Sequence, residues 1–162
     1  MKKLSELPKD FRRMKRTWDM LAKGELQQII KVEGLNHFEA SWDNQGFTDA
    51  VLEKWQPRKE PQRLGKRGKV LKSYKKWKAR DKGRAILVSH RSQTKGGHLK
   101  DSLRADIVGV AVEFYSDKPY AEAHNEGNKH LDKRQFMGES QELFDDINGK
   151  VKRTLDKTYK SL

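Results

Sequence analysis

Gly97-His98-Leu99-Lys100-Asp101-Ser102-Leu103-Arg104-Ala105-Asp106-Ile107-Val108-Gly109-Val110-Ala111-Val112-Glu113-Phe114-Tyr115-Ser116-Asp117-Lys118-Pro119-Tyr120-Ala121-Glu122-Ala123-His124-Asn125-Glu126-Gly127 is the stretch on which the fold turns. Leu103, Ala105 and Ile107 alternate with Arg104 and Asp106, and Val110, Val112 and Phe114 alternate with Ala111, Glu113 and Tyr115. A period of two places each set on one face of a strand. Val108-Gly109 lies between the runs, so the segment reads as a β-hairpin with one apolar face. Val tolerates a positive φ poorly, so Gly109 is expected in the left-handed position. The flanking helices are expected to pack on this ribbon.

Downstream, Ser116-Asp117-Lys118-Pro119 reads as a turn, and residues 120–126 as two helical turns stopped by Gly127. Residues 128–138 form a short polar crossing, with a last strand expected at 134–137. Ser140 is the N-cap of a helix over 140–158, with a stripe of Leu143, Phe144, Ile147, Val151 and Leu155. Upstream, Ala85-Ile86-Leu87-Val88-Ser89 is a short apolar run that predicts a covered strand, and residues 90–97 a polar loop. Residues 99–103 suit a helical turn.

At the N-terminus, Pro8 fits the first turn of a helix over 8–22, with Phe11, Met14, Trp18 and Leu21 at spacings of three and four. Gly24 interrupts. A second helix is expected over 25–41, weakened at Gly34 by about 1 kcal/mol relative to Ala. Asp43-Asn44-Gln45-Gly46 is a stop and turn. Residues 47–55 are short and mixed.

The chain has 162 residues, 34% of them apolar and 36% charged, which favours one domain with one modest core. Four Trp and six Phe need burial, which argues against disorder. The absence of Cys excludes disulfides and thiolate metal sites. No signal peptide or bilayer-spanning run is expected. The formal charge of +13 favours polyanionic partners. It is concentrated between Pro57 and Arg84, where thirteen Lys/Arg face only Glu60 and Asp81. This stretch reads as an extended basic loop, pinned by Tyr74 and Trp77. Two readings of it stand: a solvated loop, or contact with DNA or an acidic partner through Arg58, Lys59, Arg63, Lys66, Arg67, Lys69, Lys72, Lys75, Lys76 and Lys78. In the second reading Tyr74 and Trp77 would stack on bases, although two aromatics at that spacing more often anchor a loop.

Catalytic signals are sparse. No Gly-x-Ser-x-Gly element and no Ser with an evident His and Asp partner is present, and the glycines at 65, 68, 83, 96 and 97 do not space as a phosphate loop. His124, Glu126 and His130 are the one candidate metal cluster, but His124 and Glu126 diverge on a helix. The expected role of His124 is a hydrogen bond from its imidazole to a backbone carbonyl, fixing the turn at Gly127. The Phe11, Met14, Trp18 and Leu21 stripe reads either as core or as a subunit contact.

The segment Pro119-Tyr120-Ala121 with His124 and Gly127 resembles the signature of tailed-phage virion morphogenesis and tail-completion proteins, a strand followed by Pro-Tyr-Ala-x-x-His-x-x-Gly. Three further pieces agree in order. Residues 38–47, with Trp55 and Arg58-Lys59, resemble the family's N-terminal part. The run 86–88 and Gly97-x-Leu99-x-x-Ser102-Leu103 are similar to its next step. Arg134-Gln135-Phe136-Met137-Gly138 resembles its approach to the last helix, with Gln135 where the family often has Pro. The pieces span about residues 36 to 155.

The fold expected is α+β: a small, mainly antiparallel sheet from 85–89, 102–107, 110–115 and 134–137, covered by helices at 8–41 and 140–158. The chain divides into a helical region (1–43), a basic loop (57–84), a sheet region (85–138) and a C-terminal helix (140–158). The resemblance implies a structural protein, completing a phage tail or joining head to tail through other tail or neck proteins, and the sparse catalytic signals argue for no enzyme activity and no cofactor. It implies a homo-oligomer, possible as a ring, that is in the host bacterial cytoplasm during assembly and then in the virion. The competing class is a basic nucleic-acid-binding protein outside any virion; the third is a metal-dependent nuclease using His124.

Overall fold

The computed structural model describes residues 9–88 and 97–160. Two helices open the chain, α1 (Lys9–Ala22) and α2 (Glu25–Asn44), with Gly24 in the left-handed conformation between them. Helix α2 ends at Gln45, also left-handed at φ 50°, whose N–H reaches back to the carbonyls of Ser41 and Trp42. The chain then makes a small antiparallel pair, β1 (Gly46–Thr48) and β2 (Leu52–Lys54), over residues that look mixed in sequence. Helix α3 (Lys72–Arg80) follows, then the hairpin β3 (Leu103–Val108) and β4 (Ala111–Ser116), helix α4 (Ala121–Glu126) and helix α5 (Gln141–Lys160).

The fold is α+β, as the sequence predicts, but the strands form two separate two-stranded sheets. Residues 85–88 are not a strand. Arg58 donates to the carbonyls of Ala85 and Val88, both at 2.8 Å, and the Gln45 side-chain oxygen accepts the N–H of Ile86. Side chains thus satisfy the backbone groups that a ladder would have used. Leu87 sits at φ +59°, so the chain turns and Ile86, Leu87 and Val88 all pack against the core. Ser89, and the expected loop as far as residue 96, lie outside the described residues. Residues 134–137 are not a strand either. Asn125 accepts the N–H groups of Phe136 and Met137 and donates to the carbonyl of Met137. The stretch 57–84 is not wholly extended, because it contains α3.

The main hairpin forms with Val108 opposite Ala111, so its two loop residues are Gly109 and Val110, one place later than the sequence reading put them. Gly109 has φ +62° and Val110 does not have a positive φ, which matches the glycine-first two-residue turn. Only the half remote from this turn is covered. Leu103 and Ala105 are buried and Phe114 is half-buried, while Val108 is 52% and Val110 90% exposed.

Helix α2 is the element that the others touch: α1, α5, β1, β3 and β4 all pack on it. Its interior continues through Gly34, the residue expected to weaken it. A Cβ there would lie 2.3 Å from the Phe114 ring, so the missing side chain is the space that the ring fills. The same ring meets Phe38 edge-on, with centroids 5.2 Å apart. Phe38, Trp42, Phe47, Trp55, Leu103 and the fully buried Phe136 make up the core with Leu99 and Ala121.

Helix α5 is capped as expected, with the Ser140 hydroxyl accepting the N–H of Leu143 at 3.1 Å. Asp49, between β1 and β2, accepts the N–H of Gln141 through its carboxylate and that of Glu142 through its carbonyl. Of the α5 stripe, Leu143, Ile147, Val151 and Leu155 are half-buried, but Phe144 is 60% exposed.

Gly34→Ala is expected to destabilise the protein by about 1–3 kcal/mol through overpacking, although Ala favours a helix by about 1 kcal/mol. Urea denaturation measures this. Pairing it with Phe114→Leu, which vacates part of the space, should recover part of the loss.

Candidate functional site

The motif residues assemble into one structural knot. Ser102, buried in the single turn Lys100–Ser102 that precedes β3, donates or accepts at three points. Its hydroxyl bonds the carbonyl of Leu99 and the hydroxyl of Ser116, both at 2.7 Å, and its carbonyl accepts the N–H of Asp117. The Gly97-x-Leu99-x-x-Ser102 spacing therefore ties the entry of β3 to the exit of β4. Leu99 and Ala121 belong to the core. Pro119 is exposed in the turn before α4, and Gly138 is exposed between Met137 and α5.

Gly127 stops α4, as the sequence predicts, at φ +74°. A Cβ there would lie 2.8 Å from the backbone nitrogen of Lys133, because the returning chain passes against it. The turn is fixed by the backbone of residue 124: its carbonyl accepts the N–H of Arg134 at 2.8 Å. The imidazole does not do this. His124 Nδ1 is buried with no hydrogen-bond partner among the described residues. The ring stacks edge-on to Tyr120, centroids 6.0 Å apart, as their spacing of four requires. Asn125, which the sequence reading passed over, carries more of the local order through its three bonds to Phe136 and Met137. An Asn two residues before a Gly stop is the available signal, since its side chain is suited to capping loop backbone.

Tyr120, His124 and Arg134 line a pocket of about 580 Å³ with Arg58, Asp81 and Leu87. Burial, and to a lesser degree the charge of Arg134, hold the His124 imidazole below its ordinary pKa. Arg58 is lowered chiefly by burial, against the pull of Asp81. Both guanidinium groups are committed: Arg58 to Asp81 and two carbonyls, Arg134 to the carbonyl of Gln56 at 3.2 Å. No carboxylate pairs with His124 among the described residues. Among those residues no three His, Asp or Glu side chains gather as a metal site, and His124, Glu126 and His130 do not.

Two of the expected polyanion contacts have partners within the chain. Arg58 organises residues 81–88, and Lys59 pairs with Asp132 at 3.0 Å. The other eight, Arg63, Lys66, Arg67, Lys69, Lys72, Lys75, Lys76 and Lys78, are exposed, with no carboxylate partner among the described residues. On α1 the exposed set is apolar: Phe11 at 56%, Met14 at 50% and Trp18 at 65%. Arg12, Arg16 and Met20, on the other side of the helix, face the body instead. The core reading of that stripe does not hold for these three residues; the side chain of Leu21 lies outside the described residues.

In comparisons with known protein families, curated proteins and solved structures, the chain matches none.

Asn125→Ala leaves the N–H groups of buried Phe136 and half-buried Met137 without this acceptor and is expected to cost about 2–3 kcal/mol, measured by urea denaturation. The lowered pKa of His124 has a signed consequence. The unfolded chain binds the proton more readily, so this residue's stabilising contribution is complete above about pH 6.5. It declines as pH falls below that value. Urea midpoints at pH 5.5 and 7.5 should differ less in His124→Gln than in the parent protein.

Proposed function

We propose that this protein is a structural component of virion assembly in a tailed phage or prophage, completing the tail or joining head to tail. It acts through protein–protein contacts with other tail or neck proteins and with copies of itself. It is made in the host bacterial cytoplasm and ends in the virion. The observation that carries this reading is the inverted amphipathicity of α1. Phe11, Met14 and Trp18 face solvent while Arg12 and Arg16 face the body. A Trp and a Phe each more than half exposed on one stripe form an apolar patch of the kind that marks a protein contact. Trp is also the residue type that most often anchors such contacts.

The motif residues support the same reading from the inside. Ser102, Gly127, Arg134 and Phe136 brace loops and core, and so make a rigid body on which contact surfaces keep their geometry. The α1 stripe and the apolar hairpin tip at Val108 and Val110 are two different patches. A contact of one patch with the other is head-to-tail, and such contacts close into rings when the rotation permits.

Light scattering after size-exclusion chromatography should show an oligomer for the parent chain and a smaller species for Met14→Glu/Trp18→Glu, with unchanged circular dichroism. A parent chain that is monomeric at micromolar concentration, or a variant that unfolds without any change in assembly, would overturn the reading.

A further inference from the structure

We infer that the outward face of α3, with the turn that leads into it, binds the phosphate backbone of duplex DNA. The helix has two sides. Tyr74, Trp77 and Asp81 at its end lie on one side of the helix and are half-buried, with the two rings 5.8 Å apart. Lys72, Lys75 and Lys76 share the opposite face at spacings of three and four, beside Ala79, and no acidic side chain interrupts them. The turn before the helix is closed on itself. Leu64 bridges Val70, and the Leu71 N–H donates to the carbonyl of Arg63 at 3.0 Å. This closure keeps Arg63, Lys66, Arg67 and Lys69, all exposed, in a compact turn next to the start of α3.

The chemistry of that face selects among polyanions. A protein partner is recognised through aromatic and apolar anchors, with Lys depleted; here the aromatic residues are half-buried on the side away from the lysines. Single strands are held by stacking bases on exposed rings, and Tyr74 and Trp77 are occupied by each other. What remains is a set of point charges on flexible stems, suited to phosphates and carrying no base readout. A single helix with its flank of lysines fits the broad groove and backbone of B-form DNA, whereas the A-form RNA major groove is too deep and narrow to admit it. The surface is independent of the assembly contacts proposed above and stands or falls separately from them.

The test is fluorescence anisotropy of the full chain with a labelled random 25-base-pair DNA duplex across a salt series. If about six phosphates are engaged, affinity should fall by about a thousandfold between 50 and 200 mM salt. Lys72→Gln/Lys75→Gln/Lys76→Gln should bind more weakly at every salt concentration and fall only about 40-fold over the same range, because three contacts are lost. Gln preserves helix propensity, and circular dichroism checks the fold. Unchanged affinity and slope in this variant would overturn the assignment. So would tighter binding of an RNA duplex of equal length, or displacement of the DNA by polyglutamate of matched charge.

Discussion

The ring of Phe114 occupies the space that a side chain at residue 34 would take, and the hairpin depends on that contact. A two-stranded ribbon has little stability alone, because it must bury one face against another element. Helix α2 supplies that element, and the absence of a Cβ at Gly34 lets the ribbon approach closely. Phe38, one turn further on, receives the same ring edge-on. The interaction locates Leu103 and Ala105 over the core, and through Ser116 and Ser102 it sets where the chain enters α4. The glycine costs helix propensity, and the packing of an aromatic ring offsets that cost.

Around this contact, order is carried by side chains that bond to backbone more than by extended ladders. Gln45, Arg58, Ser102 and Asn125 each bind peptide groups of a different loop. Asp49 joins the first small sheet to the start of α5. Such an arrangement suits a chain with only a third of its residues apolar, because a small core leaves many loop peptides near the interior, where each needs a partner. It also explains why two expected strands, 85–88 and 134–137, do not form. Their hydrogen-bonding groups were already taken by Arg58, Gln45 and Asn125.

The exposed surfaces divide by chemistry. Apolar residues project from α1 and from the hairpin tip, and cations without described carboxylate partners project from α3 and its preceding turn. A braced interior with separate apolar and cationic exteriors accords with the proposed assembly role and the proposed polyanion contact. The pocket beside His124 fits this division, since its two arginines are spent on carbonyls that hold the chain in place.

What the sequence determined by itself was local. The hairpin follows from period-two alternation and a turn glycine, α4 from its Gly127 stop, α5 from its Ser140 cap, and the α1–α2 break from Gly24, because each depends on neighbours within a few residues. The exposed lysines of α3 were legible as charge, though not as a helix, since five basic residues in nine obscure the half-buried Tyr74 and Trp77. Tertiary structure decided the rest. Whether Gly34 weakens α2 or receives a ring depends on a partner eighty residues away. Whether 85–88 pairs as a strand depends on Arg58, and which face of α1 turns inward depends on α2 and α5. These outcomes follow from which surfaces meet in space, and a periodic pattern records only that a surface exists.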